Sequence, residues 1–238
     1  RMIDHIVAGV MQERTYVSLK LTSMGLDISD ELAEEMLRRI VEHAAQTSPP
    51  LYVRVDMEGS AYTQRTLDIF HRVFADHRNV GIVIQSALLR SEGDVERLVQ
   101  VGAGVRLCKG AYVEPPTIAY PVKADVDASF VRLAERMLSD EARANGTYLA
   151  VASHDEKIID WARRHATEHG VAKDAFEFQM LNGVRRDLWT RLVAEGYRMR
   201  VYLPYGTHWY PYYMRRLAER PENVVFMVKG ILAELFHK

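Results

Sequence analysis

The sequence predicts a parallel α/β fold, either a barrel or a doubly wound sheet. Short runs rich in β-branched and aromatic residues recur along the 238-residue chain, and most are separated by segments with helical spacing of apolar residues. Strands that alternate with helices are typical of parallel sheets. Because no linker, repeat or low-complexity segment interrupts this pattern, we expect a single domain over residues 1–238.

Seven runs predict strands, at residues 15–22, 51–57, 80–89, 104–111, 147–153, 176–181 and 198–205. The longest irregular segment, residues 112–125, follows the fourth run and is rich in proline. Loops at the carboxyl ends of parallel strands commonly carry function. We therefore expect a lid or a binding loop there.

The segments between these runs predict helices. Residues 29–46 begin with Ser29 and Asp30, which are good capping residues, and continue with a helical apolar stripe. Apolar residues at helical spacing also mark 66–74, and the segments 127–146, 157–170 and 187–196 each end at a glycine. Residues 1–14 read as a further helix, which leaves seven strands where a closed barrel of this class needs eight.

The composition excludes several classes of partner and site. Lys and Arg number 31 against 32 Asp and Glu, so the net charge of -1 does not favour nucleic acid as a partner. The only cysteine, Cys108, excludes an internal disulfide, and the histidines lack a metal-ligand spacing, so we expect no metal. No apolar run approaches the roughly 18 residues of a transmembrane helix. The single cysteine fits a reducing compartment, and we expect a cytoplasmic protein.

The strand runs alternate apolar and polar residues, although strands buried on both faces usually read as continuous apolar runs. If the apolar series packs against helices, the polar series points into a barrel. Its members are Lys20, Asp56, Gln85, Arg106, Gln179 and Tyr202. These side chains either satisfy one another or form a site at the carboxyl ends of the strands.

Seven stretches in this order resemble one family: "VSLKLTSMG", "RVDMEGS", "RLCKGAY", "SHDE", "FEFQMLNG", "YLPYGTHW" and "YYMRRLAERPEN". The family is proline dehydrogenase, and the resemblance covers nearly the whole chain, from Val17 to Asn223. It implies a TIM-like (βα)8 barrel that binds FAD, with the last helix covering the barrel mouth. The implied reaction oxidises L-proline to Δ1-pyrroline-5-carboxylate by hydride transfer to flavin N5.

The resemblance also implies the substrate site. Arg215 and Arg216 would clamp the proline carboxylate with Lys20 as a third cation, which suits the forked donors of arginine. Asp56 would support Tyr202 or an arginine of this group, and Glu219 would balance the cations. Leu181, Tyr202 and Tyr212 would pack against the pyrrolidine ring. The residues expected to act in catalysis are Lys20, Asp56, Tyr202, Arg215 and Arg216.

For the flavin, the resemblance places Arg106 near N5, where it would stabilise negative charge on the reduced ring. Gln85 and Gln179 would bind the polar edge of the ring, while Lys109 and His154 would hold the ribityl or phosphate part. The complete expected flavin set is Met57, Gln85, Arg106, Lys109, Gly110, Ala111, Tyr112, His154, Gln179, Gly206 and Glu219.

The resemblance implies an additional first strand, which either lies upstream of Arg1 or is replaced by a different closure of the barrel; we expect a truncated core. It also implies a quinone as the electron acceptor and, through that acceptor, peripheral association with the inner face of the membrane. Two alternatives to an FAD-dependent proline dehydrogenase are a Schiff-base barrel lyase that uses Lys20 or Lys109 as nucleophile, and a non-catalytic scaffold.

Overall fold

The computed structural model describes Ile3 and residues 15–204, and the chain divides into two compact units, Arg1–Ala150 and Val151–Lys238. All seven predicted strands are present. They are β1 Tyr16–Leu19, β2 Tyr52–Val55, β3 Val80–Gln85, β4 Gly104–Cys108, β5 Tyr148–Ala152, β6 Phe176–Leu181 and β7 Arg198–Tyr202. The strand order from β1 to β4 follows the chain in the first unit, and β6 lies beside β7 in the second. The parallel α/β prediction is therefore confirmed.

Seven α-helices lie in the described part of the chain: α1 Asp30–Ala45, α2 Ser60–Asp76, α3 Ser91–Gln100, α4 Lys123–Leu138, α5 Asp140–Ala144, α6 Glu156–Glu168 and α7 Arg186–Ala194. A 3-10 turn, Thr22–Met24, follows β1. Of the predicted helix 1–14 only Ile3 is described, and it is helical and buried. The predicted last helix lies outside the described residues. No helix among the described residues is long and apolar enough to span a bilayer.

Two helices differ from the prediction. The single helix expected over 127–146 is divided at Ser139, whose backbone is extended and whose hydroxyl accepts a hydrogen bond from the Ala142 amide at 3.2 Å. Ser139 thus ends α4 and caps α5. The sequence analysis missed α3 because its apolar residues, Val95, Leu98 and Val99, make up less than two turns of helical spacing.

In the first unit, strands β1 to β4 are parallel neighbours. Tyr16 pairs with Tyr52, Val53 with Val80, and Ile82 with Val105. Helix α1 covers this sheet with a buried stripe of Ala33, Leu37, Val41 and Ala44, and α2 with Leu67, Phe70, Val73 and Phe74. Burial of each large apolar side chain contributes roughly 1.5–3 kcal/mol, so these two faces fix the layer of helices against the strands.

In the second unit, β6 and β7 pair in parallel from Glu177 with Arg198 to Leu181 with Tyr202. An aromatic cluster consolidates their amino ends, where the ring of Tyr197 lies 5.8 Å from Phe176 and 5.4 Å from Phe178. Helix α6 buries Ile158, Ile159, Ala162 and Ala166. The strand predictions at 176–181 and 198–205 are confirmed, the second with a shorter extent.

A buried arginine fills the first unit near the amino ends of β3 and β4. Arg54 is fully buried, and its Nη1 donates to the carbonyl oxygens of Ile82 at 3.1 Å and Gly104 at 2.6 Å. The guanidinium also lies over the ring of Tyr52, 5.2 Å from its centroid. A Cβ at Gly81 would lie 2.6 Å from both Arg54 Nη1 and the Gly104 oxygen. Glycine at position 81 therefore makes room for the buried cation.

We expect Gly81→Ala to lower the free energy of unfolding by about 1–3 kcal/mol, because backbone and a buried guanidinium must move to admit the methyl group. Gly93→Ala is the matched control. It lies within α3 with nothing within 4 Å of the added Cβ, so the same change should stabilise by about 0.5–1 kcal/mol. Urea unfolding of both variants checks this, and equal effects would contradict it.

Candidate active site

Polar side chains predicted to converge meet at the carboxyl edge of the first unit's sheet. Lys20 and Asp56 directly follow β1 and β2, Gln85 ends β3, and Arg106 lies in β4. Parallel strands present their carboxyl ends at one edge, which is where sites form in α/β proteins. Four of the six predicted inward residues are thus gathered in this unit.

An ion pair between Arg106 and Asp56 forms the centre of this edge. Arg106 Nη1 donates to Asp56 Oδ1 at 2.7 Å, and its Nη2 donates to Ser18 Oγ at 3.0 Å. The two charged side chains are only 9% and 15% exposed. Asp56 was expected to support Tyr202 or an arginine of the clamp, and it binds Arg106. Ser18 was missed, although its alternation with Lys20 placed it on the same face of β1.

A second carboxylate, Glu58, follows β2 and joins the turn after β1 to the end of β3. Its side chain accepts hydrogen bonds from Thr22 N at 3.2 Å and Thr22 Oγ1 at 2.8 Å, while its backbone oxygen accepts from Gln85 Nε2 at 2.8 Å. The Gln85 amide is thereby oriented. Met57, predicted to contact the flavin, is buried beside Glu58 in sequence. The sequence analysis missed Glu58 because it follows the strand rather than lying within its alternation.

Gly110 approaches Gln85 closely. Its φ of +114° is unfavourable for other residues, and a Cβ there would lie 2.9 Å from Gln85 Oε1. The backbone leading to it is held by Ala87 N, which donates to Lys109 O at 2.9 Å. Gly110, a member of the expected flavin set, therefore allows the loop backbone to pack against Gln85, and the adjacent Ala111 is exposed.

Lys109 lies in an ion pair. Its Nζ is 2.5 Å from Asp127 Oδ1, and the other carboxylate oxygen binds Lys123. Burial alone would raise the pKa of Asp127, but the hydrogen bonds from Lys109 and Lys123 outweigh it and lower that pKa below its ordinary value. Asp127 therefore holds one cation at each end of the irregular loop and stays ionised near neutral pH.

The loop between β4 and α4, residues 109–122, reaches back over the ends of β1 and β2. Tyr112 Oη accepts a long hydrogen bond of 3.4 Å from Lys20 Nζ, and both side chains are exposed. Glu114 accepts from Ser60 N at 2.7 Å and from Ser60 Oγ at 2.6 Å, at the first turn of α2. Lys20 and Tyr112, predicted as substrate and flavin contacts, are therefore neighbours, whereas Glu114 was missed.

The second unit has its own polar cluster. His154 Nε2 accepts a hydrogen bond from the Leu181 amide at 3.0 Å, which fixes the orientation of the ring. Leu181 and Tyr202 are paired across β6 and β7, so two predicted substrate contacts are neighbours. The Gln179 amide donates to Glu177 Oε1. Glu177 lies two residues before Gln179 in β6, so the two side chains lie on the same face of the strand.

A buried carboxylate accompanies Gln179. Glu177 is 2% exposed, and Arg200 clamps it with two hydrogen bonds of 2.8 and 2.9 Å. Gly206, Tyr212, Arg215, Arg216 and Glu219, all predicted site residues, lie outside the described residues. In the described part of the chain, no group of His, Cys, Asp and Glu residues has the arrangement of a metal site.

Parallel strands with charged and amide side chains gathered at their carboxyl edge define an α/β enzyme-type site. The chain matches the Proline dehydrogenase family over residues 3–229 and belongs to that family. Proline dehydrogenase 2 of Bacillus subtilis (strain 168) is 45% identical over 217 residues, which are 91% of this chain and 69% of the relative. Proline dehydrogenase of Deinococcus radiodurans is 46% identical over 225 residues, 92% of this chain and 70% of the relative.

Solved structures share the fold. A proline utilization A (PutA) protein from Bdellovibrio bacteriovorus, inactivated by N-propargylglycine, has a TM-score of 0.76 at 29% identity, covering 84% of this chain and 24% of that one. A bifunctional PutA has a TM-score of 0.78 at 21% identity, covering 91% and 25%. The chain spans about a quarter of the length of these PutA proteins.

We expect Asp56→Asn to lower the free energy of unfolding by about 2–4 kcal/mol, because it leaves the Arg106 guanidinium without its carboxylate in a mostly buried place. Asp76→Asn breaks an ion pair of the same 2.7 Å length with Arg38, but Asp76 is 62% exposed. That control should cost less than about 1 kcal/mol. Chemical denaturation measures both, and an Asp56 variant as stable as the Asp76 variant would contradict this reading.

Proposed function

We propose that this protein oxidises L-proline to Δ1-pyrroline-5-carboxylate with FAD as its cofactor. The observation that carries the proposal is the guanidinium of Arg106, held by Asp56 and Ser18 at the carboxyl edge of the sheet. It occurs in a chain 45% identical over 217 residues to Proline dehydrogenase 2 of Bacillus subtilis. We also propose one (βα)8 barrel domain over residues 1–238 whose last helix covers the mouth. The similarity to PutA structures supports it.

The residues at this edge fit a flavin. Gly110 packs closely against the Gln85 amide, since a Cβ there would lie 2.9 Å from Gln85 Oε1, so the loop backbone and this amide lie side by side. The Gln85 amide suits the polar edge of the flavin ring, and Lys109 suits the anionic diphosphate. We propose that Met57, Ala111, Tyr112, His154, Gln179, Gly206 and Glu219 complete the flavin contacts. Bound FAD would supply the hydride acceptor, its N5 atom.

Arg106 is prepared to stabilise negative charge. Both of its terminal nitrogens donate hydrogen bonds, to Asp56 and Ser18, so the guanidinium needs no reorientation when charge develops nearby. Preorganised cations of this kind lower the barrier to reactions that create an anion, since no reorganisation is needed during the step. The chain supplies position and electrostatics, and no protein nucleophile takes part.

Lys20, Arg215 and Arg216 would bind the carboxylate of proline, with Tyr202, Tyr212 and Leu181 against the ring. In support, Lys20 is exposed at the sheet edge, beside Tyr112. The register that pairs Leu181 with Tyr202 also supports two ring contacts from adjacent strands. A substrate held by its carboxylate presents its ring carbon in one orientation, which lowers the entropic part of the barrier.

We further propose that the protein passes electrons to a quinone, and that it is cytoplasmic and associates peripherally with the inner face of the membrane. The family resemblance alone supports these proposals. The Schiff-base alternative has less support. Such a mechanism needs a lysine in a desolvated pocket, whereas Lys20 is exposed and Lys109 lies in an ion pair with Asp127.

The test is a steady-state assay with L-proline, FAD and a dye as artificial electron acceptor, followed by chemical detection of the pyrroline product. We expect product formation that depends on proline and on FAD. Arg215→Met and Arg216→Met should each raise the KM for proline by on the order of a hundredfold, as expected for loss of a charge-assisted partner. An unchanged KM in both variants would contradict the carboxylate clamp. Borohydride trapping of substrate on a lysine would favour the lyase instead.

A further inference from the structure

We propose that Glu114 is a positioning residue that anchors the β4–α4 loop over the carboxyl edge of the sheet and thereby holds Tyr112 beside Lys20. This inference rests on the proposed function, because it assigns the loop to the binding of flavin and proline. Glu114 does not itself contact the reacting atoms in this account. Its role is to fix residues that do.

The backbone of the β4–α4 loop is fixed at both of its ends. At its start, Ser86 N donates to Cys108 O at 2.8 Å and Ala87 N donates to Lys109 O at 2.9 Å, which extends the pairing of β3 with β4. At its end, Tyr120 N donates to Ala87 O at 2.8 Å, beside a bridge between Leu88 and Ala119. Residues 110–117 span the interval between these two anchors.

Glu114 fastens the middle of this interval to α2. One carboxylate oxygen accepts from Ser60 N at 2.7 Å and the other from Ser60 Oγ at 2.6 Å, across 54 residues of sequence. Helix α2 supplies no cap of its own, because its N-cap residue is Gly59 and its first turn contains no acidic residue. The carboxylate therefore satisfies an otherwise unpaired helix amide and meets the positive end of the helix dipole.

The Glu114 anchor affects two residues that are predicted to contact ligands, Tyr112 and Lys20. Tyr112 lies two residues before Glu114, and a Cβ at Gly59 would lie 3.8 Å from its ring and 3.6 Å from Glu114 Oε1. The loop thus rests on Gly59 at this point, with Tyr112 Oη 3.4 Å from Lys20 Nζ. Loss of the Glu114 anchor would free Tyr112, and the Lys20 ammonium would then lose the neighbour that orients it. Val113, between them, is fully exposed and contributes no packing of its own.

The experiment compares Glu114→Ala with Ser139→Ala. Ser139 caps α5 through Ala142 N at 3.2 Å, so the control also removes a helix cap, but one placed on the connection that leads into β5. Hydrogen exchange by mass spectrometry reports the order of residues 110–117 in the FAD-free protein. Titration with FAD and steady-state kinetics with proline report the consequences.

We expect Glu114→Ala to speed amide exchange in 110–117 by roughly tenfold, and Ser139→Ala to leave it unchanged. The KM for proline and the Kd for FAD should each rise by about fivefold or more, with kcat nearly unchanged, because chemistry proceeds normally once the ligands are bound. Glu114→Gln should recover part of the protection, since its amide oxygen still accepts from Ser60 N. If the alanine variant does not fold, the comparison of Glu114→Gln with the wild type tests the anchor in its place.

Unchanged exchange in 110–117 of both Glu114 variants would overturn the anchor. Faster exchange with KM and Kd equal to those of Ser139→Ala would overturn the positioning role. A wild-type protein that neither binds FAD nor oxidises proline would overturn the proposed function, and the exchange measurement alone would then uphold or overturn the anchor.

Discussion

The ion pair between Arg106 and Asp56 is the interaction on which the candidate site depends. A guanidinium in the interior of a parallel sheet costs several kcal/mol of lost hydration unless a carboxylate and further hydrogen bonds replace the water. Asp56 and Ser18 provide that replacement from two neighbouring strands, at 2.7 and 3.0 Å. The strand register thus determines the chemistry, because a shift of one residue would turn Asp56 to the opposite face.

Carboxylates also organise the loops around this pair. Glu58 connects the turn after β1 with the end of β3, Glu114 connects the β4–α4 loop with α2, and Asp127 holds Lys109 and Lys123. Each uses both its oxygens or its own backbone to join segments distant in sequence. A site held together by such carboxylates can be rigid without apolar packing, which leaves polar surface available for polar ligands.

The seven strands could be predicted because runs of β-branched residues alternate along the chain with helical segments that end at a glycine. Alternation of polar and apolar residues within those strands predicted four site residues: Lys20, Asp56, Gln85 and Arg106. The buried Arg54 shows what alternation cannot decide. Arg54 and Asp56 share a face of β2, yet Arg54 is a fully buried structural cation and Asp56 belongs to the candidate site. Their positions along the chain separate the two roles, and Gly81 makes room for the Arg54 guanidinium.

Glu58 and Glu114 escaped prediction for a related reason. Both lie in irregular segments, where no periodicity marks a functional face, and their partners are 36 and 54 residues away. A helix such as α2, with glycine at its N-cap and no acid in its first turn, is the signal that a remote side chain supplies the cap. The division of the predicted helix at Ser139 has a simpler cause. Ser-Asp after a helical run can either continue that helix or cap a new one, so the sequence pattern does not decide between the two.

The central claim is that the carboxyl edge built around Arg106 binds a flavin that proline reduces. The most direct measurement is the visible absorption spectrum of the FAD-reconstituted protein under anaerobic conditions, before and after the addition of L-proline. The account predicts an oxidised flavin spectrum that bleaches on addition of proline, and does so more weakly in Arg106→Met than in the wild type. A protein that fails to retain FAD, or whose flavin spectrum stays unchanged at saturating proline, would contradict it.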